Sequence, residues 1–548
     1  MSASGSEEPV DVVVIGGGHN GLTCACYLAG AGLAVTVLER SAEIGGCIYT
    51  LDLEDPPARL EIGGYEHGGL RASGVSAELE LEDKWGLRMI ERDELLYAPC
   101  DDGTGLAFHS DLDQTVDILA RVVDREEAQR YRAFSDWARP GAQLVSLLGR
   151  NSPPSIRELA ALAHSTLGTE GERLVQTLLS PASSVLRSSF EDERLRGALG
   201  QWSANAQQPP TDPGTGAGAL LLAGMHGYRA ARPAGGSRAT VEALARCLRA
   251  RGGSIRVGAP VERIDVSAQR ATAVHTNGSR IVARTAVVSS IDPRRLFNEL
   301  VPDSAIPPGL RRELDRIHSG AHNVAELKID AVVDGELPPT AVVGFERAYM
   351  VSANTLGELE RAFARIALGE LPERFPLMLA MPSALEAGWA PAGQSVLWLQ
   401  TRVPFVPHGW SWSDRALESA ARGAWEAAER ALGQKLPVRR WRLTGPAQWM
   451  ERIGGISGNP NHVDMSIDQL LDMRPSPSLS GYRTPIAGLY LTGAGTHPGG
   501  GISGASGRNT ARCILSDGRR MKWSRQEVRA QMALLRDALR AAKALRAR

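Results

Sequence analysis

Residues Val10 to Ile15 are largely apolar and β-branched, broken only by Asp11, a pattern that predicts a buried strand. Gly16-Gly17-Gly18-His19-Asn20-Gly21 follows directly and opens an Ala- and Leu-rich segment that reads as a helix to Gly30. A second short apolar run, Val35 to Leu38, predicts another strand and ends in Glu39. Farther along, Asp111 to Ser203 carries helical periodicity with little strand character, as in Ile156 to Leu162. Strand-like runs return at Asn323 to Val333, Pro376 to Met381 and Val396 to Phe405 and predict a second sheet. Near the end, a short strand at Gly488–Leu491, a glycine-rich turn and a small-residue helix from Ser503 to Leu515 repeat the strand-turn-helix pattern of the start.

The first forty residues carry the sharpest chemistry. Gly16 permits a tight turn, Gly18 lets the backbone approach a pyrophosphate, and Gly21 lets helix and strand pack closely. The helix N-terminus then offers unpaired N–H groups and a positive dipole end to phosphate oxygens. Glu39, 18 residues past Gly21, is placed to accept hydrogen bonds from ribose hydroxyls and would repel a 2′-phosphate. Together these predict a dinucleotide cradle, and NAD and FAD would both satisfy it.

Length and composition narrow the class. At 548 residues the chain exceeds what one core usually supports, so two packed domains are expected. With 61 basic and 62 acidic residues there is no positive field for nucleic acid. Six scattered cysteines show neither a disulfide framework nor a zinc spacing, which fits a reducing, cytoplasmic setting. Met1 to Pro9 lacks the pattern of a leader, and no apolar run reaches the length of a membrane span. No other cysteine follows Cys47 before Cys100, so it has no neighbouring thiol with which to cycle as a dithiol. Gly214 to Gly218 has no strand before it and reads as a loop, so no second nucleotide domain is expected.

Two further segments decide between the dinucleotides. Arg40-Ser41-Ala42-Glu43-Ile44-Gly45-Gly46 resembles the E-R-x-x-x-x-G-G element of glutathione-reductase-like flavoproteins. Gly488 to Gly504, reading GLYLTGAGTHPGGGISG, resembles the closing flavin segment of bacterial phytoene desaturases and their relatives, retinol saturases included. Pro233 to Ser237, Gly258 to Ile264, and Asp468 to Pro475 leading into Tyr482 to Pro485 agree with that likeness, which covers about residues 10 to 515. The resemblance implies an α/β fold with a glutathione-reductase-like, Rossmann-type FAD-binding domain, a second α+β substrate domain and a helical cap. It divides the chain into FAD-binding segments 8–110, 233–300 and 481–516, cap and substrate segments 111–232 and 301–480, and a terminal amphipathic helix 517–548.

The resemblance also implies that FAD contacts Gly16, Gly18, His19, Asn20, Gly21, Glu39, Arg40, Gly45, Gly46, Val261, Gly493, Gly495, Thr496, Gly501 and Ile502. Ala494 departs from the Asp of many superfamily members, which shifts cofactor contacts toward backbone. Gly63-Gly64-Tyr65-Glu66-His67-Gly68-Gly69 matches the segment that passes the flavin ring, making Glu66 and His67 the candidate catalytic residues, with His497 and Tyr228 behind them. The expected activity is dehydrogenation of a hydrophobic small molecule by hydride transfer to flavin N5, with oxygen, a quinone or a protein as electron acceptor. A flavin amine oxidase, a non-catalytic partner-binding flavoprotein and redox-neutral isomerisation are the alternatives. Seven of the eleven tryptophans lie between Trp389 and Trp449, where a lipophilic channel and ordinary core packing are both open. The basic tail from Arg519 is read as a helix that docks on its own domain, on a second subunit or on an anionic lipid surface.

Overall fold

The computed structural model describes residues 9–518 apart from 338, 353 and 354, so the expected terminal helix lies outside the described residues. Two seven-stranded sheets organise the chain, and the chain passes between them repeatedly. The first contains β1 (Val10–Ile15), β2 (Val35–Leu38), β9 (Ser254–Arg256), β10 (Val261–Ser267), β11 (Arg270–Thr276), β12 (Ser279–Ser289) and β18 (Leu489–Leu491). The second contains β6 (Glu94–Pro99), β7 (Gly105–His109), β13 (Val324–Asp334), β14 (Tyr349–Val351), β15 (Met378–Ala380), β16 (Gln394–Pro404) and β17 (Val438–Thr444). Two antiparallel strand pairs complete the set among the described residues: the hairpin of β3 (Thr50–Glu54) and β4 (Pro57–Glu61), and the long-range pair of β5 (Met89–Arg92) and β8 (Ala230–Pro233).

In the first sheet β1 lies between β2 and β12, parallel to both, and β18 joins the far side of β12. A parallel centre of this kind must be covered on both faces. The helices His19–Gly30, Arg238–Ala250 and Ala505–Asp517 cover one face with Leu22, Leu28, Leu244, Leu248 and Ile514. The other face packs on Leu296, Phe297, Leu300, Leu310 and Ile317. The first and last described helices of the chain thereby share one core.

Strands β13 and β16 pair antiparallel over eleven residues and form the floor of the second sheet. The helix Asp414–Leu432 covers their lower face, its Leu417, Ala421, Ala424 and Trp425 meeting Leu327, Ile329 and Leu399. Residues 112–224 form a block of seven α-helices. Their capping is written in the sequence: Asp111, Asp124, Ser155 and Asp192 each accept a backbone N–H at a helix start.

Two expected boundaries move. Strands β6 and β7 lie before residue 110 yet belong to the second sheet, because Tyr349 and Met350 pair with Leu96 and Tyr97. Residues 301–317 lie inside the expected substrate segment yet pack on the first sheet through Val301, Leu310, Leu314 and Ile317. The loop expected at Gly214–Gly218 ends early, since a helix begins at Gly216.

Candidate nucleotide and flavin site

The turn after β1 is shaped as its glycines require. Gly16 has a φ of +99° and donates to the Leu38 carbonyl at 2.8 Å. A Cβ on Gly21 would run into the Gly16 carbonyl, so this glycine lets the helix close on the strand. Gly18 differs from both. Its φ is −72°, which any residue adopts, and a Cβ there would find no atom nearer than 4.0 Å. Neither backbone strain nor a protein neighbour requires glycine at 18, and the open space above it would let a ligand lie against the turn.

Glu39 closes the other side of this turn. It is buried, with Oε2 accepting the Gly17 N–H at 2.7 Å and Oε1 accepting the Ser41 N–H at 2.9 Å. Beside it opens a cleft bounded by Gly16, Gly18 to Gly21, Glu39, Arg40, Gly45 to Cys47 and Ala259 to Val261. Gly493 and Ala494 reach the same cleft from the far end of the chain. The start of the twelve-residue helix His19–Gly30 faces this space, where its first N–H groups suit an anion. His19 Nε2 and Asn20 Oδ1 are buried here without protein partners. Burial lowers the His19 pKa to about 4, so this imidazole is neutral at neutral pH.

A further wall comes from Arg452 to His462, after β17, and with Arg40 and Arg295 it gives the cleft three arginines. Arg452 stacks over Tyr49 at 4.5 Å, and Arg40 donates to the carbonyls of Glu451 and Arg452. The reserved space at Gly18, the helix start, the buried carboxylate and these arginines together fit the ADP half of FAD. Arg295, Arg452 and His462 escaped the sequence reading, although Gly454-Gly455 and Gly458-Asn459-Pro460-Asn461 announce a turn-rich segment there.

The closing segment is knitted to the helix Ala505–Asp517. Ser506 Oγ accepts from the Gly493 N–H at 2.9 Å and lies 2.6 Å from Thr496 Oγ1. Buried Arg474 ties this segment to the loop of residues 461–469, donating to the carbonyls of Asn461, Val463, Asp464, Gln469 and Ala494. Gly495, Thr496, Gly501 and Ile502 do not themselves line the adenosine-diphosphate cleft. Ile502 packs instead against Gly64, and its carbonyl approaches Gly69, so the expected ring-side segment does meet the closing segment.

Glu66 and His67 sit at that meeting point with different environments. Glu66 is ion-paired to Arg92, whose side chain is fully buried. His67 is buried, with Nδ1 at 2.8 Å from Thr240 Oγ1 and Nε2 without a partner. Burial, reinforced by His19 and Arg232, lowers its pKa to about 3 and keeps it neutral. Such a group is a free base at neutral pH. Of the weaker candidates, Tyr228 is exposed, and buried His497 hydrogen-bonds the Leu148 carbonyl at 3.3 Å. The tryptophans divide as well. Trp389, Trp425 and Trp449 are buried in cores, whereas Trp398 donates to the Gly63 carbonyl at 3.0 Å and packs on Tyr65 and Tyr349.

Comparison with known proteins agrees with this geometry. Residues 14–68 match the NAD(P)-binding Rossmann-like domain, and residues 133–365 match the flavin containing amine oxidoreductase family. The chain is 30% identical to pyridine nucleotide-disulfide oxidoreductase domain-containing protein 2 of Rattus norvegicus, covering 94% of this chain and 95% of that one. It is 25% identical to the all-trans-zeta-carotene desaturase of Myxococcus xanthus, covering 90% of each. Among solved structures, a putrescine oxidase variant shares the fold with a TM-score of 0.60 at 16% identity, covering 94% of this chain and 99% of that one.

Proposed function

The chain belongs to the phytoene desaturase-like family of FAD-dependent oxidoreductases, and from that premise we propose that it dehydrogenates a hydrophobic small molecule at a C–H bond beside Tyr65 and His67. The observation that carries this reading is the convergence of both chain ends on one cleft, with Gly18 kept open and Gly493 and Ala494 opposite. Bound FAD supplies the two-electron acceptor for the substrate hydride.

The chain's own residues do the rest. Gly16 to Gly21, Glu39, Arg40, Gly45, Gly46, Val261 and Gly493 hold the nucleotide half, while Gly495, Thr496, Gly501 and Ile502 form the ring-side support. His67, neutral and with Nε2 free, takes the substrate proton in this reading. Glu66, fixed by Arg92, orients the neighbouring backbone and keeps a carboxylate close. We assign the helices of residues 112–224 as a cap over a glutathione-reductase-like core. The desaturase activity named for the Myxococcus relative supports an oily substrate. Oxygen, a quinone or a protein partner serves as the final electron acceptor.

The test is anaerobic bleaching of the flavin by a panel of C–H donors, polyenes included. Bleaching supports the assignment, and failure of every donor refutes it. The match of residues 133–365 to amine oxidoreductases favours one second reading. Bleaching by amines alone, with peroxide released in air, would select it.

A further inference from the structure

The floor of the second sheet has an apolar face and a polar face, and both are buried. Strands β13 and β16 set Glu326 opposite Arg402, Lys328 opposite Gln400 and Asp330 opposite Trp398. Alternation along a pleated strand sends these six side chains to one face. A sheet with one apolar face ordinarily turns its polar face to water. Here none of the six is more than 9% exposed. Trp398 faces the Gly63 carbonyl, next to the meeting point of Gly64 and Ile502. The polar strip runs from there to Arg402, four residues and about 13 Å away.

The partners along this strip are unevenly satisfied. Lys328 pairs with Asp330. Glu326 accepts from Gln400 and, at 3.5 Å, from Arg402. Arg402 also donates to the Asn205 carbonyl at 3.1 Å, yet its Nε, on a residue only 2% exposed, has no partner. Gln207 is 3% exposed and lies in the same stretch as Asn205, held at a φ of +65°. A non-glycine residue in that region persists only where its surroundings impose it. The carboxylate at this end is already engaged by donors, and a guanidinium N–H is left over. An ammonium ligand would meet Arg402 and Lys328 and compete with Gln400 for Glu326. An oxygen acceptor would complete the set.

We propose that the Arg402 end of this strip binds a carbonyl-type oxygen of the substrate, a carboxylate or carboxamide, so that the substrate is an oxygenated chain and not a plain hydrocarbon. The proposal rests on the reading of Gly63–Tyr65 and Ile502 as the flavin end of the site. It is tested on the flavin-loaded protein by titrating decanoate, decanamide, decan-1-ol and decylamine and following the perturbation of the flavin absorption spectrum. Decanoate, decanamide or both are expected to bind about tenfold more tightly than the alcohol and the amine, the increment of one charge-assisted hydrogen bond. Decanoate alone would select a carboxylate, and equal binding of both would select a neutral carbonyl group. R402K keeps the charge beside Glu326 but removes Nε, and it should bring the binding of decanoate and decanamide down to that of decan-1-ol. Q207N, which tolerates the left-handed backbone, gives a second reading if R402K folds poorly, and it should weaken decanoate binding. Equal binding of all four probes, tightest binding of decylamine, or an unchanged preference in both variants would overturn the proposal. A protein unable to take up flavin would instead overturn the cofactor reading beneath it.

Discussion

Substituting Gly18 by alanine separates a cofactor contact from a folding requirement. The backbone at 18 is already in a region open to alanine, and the added methyl group meets no protein atom within van der Waals range. The stability of the flavin-free protein should therefore change by no more than about 1 kcal/mol, as reduced freedom of the unfolded chain offsets a poorer helix cap. The same methyl group projects into the nucleotide cleft. Overfilling a tight contact costs about 1–3 kcal/mol, which corresponds to a loss of about 5- to 150-fold in FAD affinity. Gly21→Ala is the control. Its Cβ would collide with the Gly16 carbonyl, so the flavin-free protein itself should lose more than about 3 kcal/mol. Thermal unfolding of flavin-depleted protein and titration with FAD give the two numbers. Gly18→Ala that binds FAD within twofold of the parent, or that unfolds as readily as Gly21→Ala, would refute the reasoning.

Other substitutions and pH probe the remaining contacts. Glu39→Gln should weaken FAD binding and loosen the turn, since the buried carboxylate accepts from Gly17 and Ser41, with about 1.5–3 kcal/mol at stake in the FAD titration. Arg474→Met leaves five buried carbonyls without their donor and should lower stability by about 3–5 kcal/mol with loss of retained flavin, read from unfolding and the flavin-to-protein ratio. Buried His19 and His67 have folded pKa values of about 4 and about 3, below the usual 6.5, so the unfolded chain binds protons first as pH falls. Stability should drop below pH 6.5, by about 2 kcal/mol for each group at pH 5, and His67→Gln should flatten that drop in denaturant titrations. His318, held between Asp464 and Asp468, has its pKa raised to about 9, so its contribution is full below pH 6.5 and lost as pH rises through 9. His318→Gln should remove this alkaline loss.

The nucleotide cradle was legible because every part of it is local. One strand, one turn, one helix and Glu39 fall within thirty residues, and each carries its own physical signature in β-branching, glycine and charge. The helical block was legible for the same reason, its caps and periodicity being short-range. The long floor strands also declared themselves, as Val324–Asp334 and Gln394–Pro404. What they did not declare was their partnership, because the cross-strand match of Glu326 to Arg402 spans loops without pattern. Arg452 and Arg295 were invisible for a related reason. An arginine near a helix end looks like a solvated surface residue until another segment is folded over it. The early strands Glu94–Pro99 and Gly105–His109 were assigned to the wrong layer because sequence position, and not pairing, set the expected boundary.

The interleaving of the two sheets sets a timetable for maturation. Strand β18 adds to β12 only after some 200 intervening residues have been made, and Gly493 and Ala494 arrive with it. A nascent polypeptide still missing those residues has a glycine turn and an acid in place but no opposite wall. On the proposed reading, coenzyme loading waits for both walls, and a polypeptide that stops short of Gly493 lacks one jaw of the clamp.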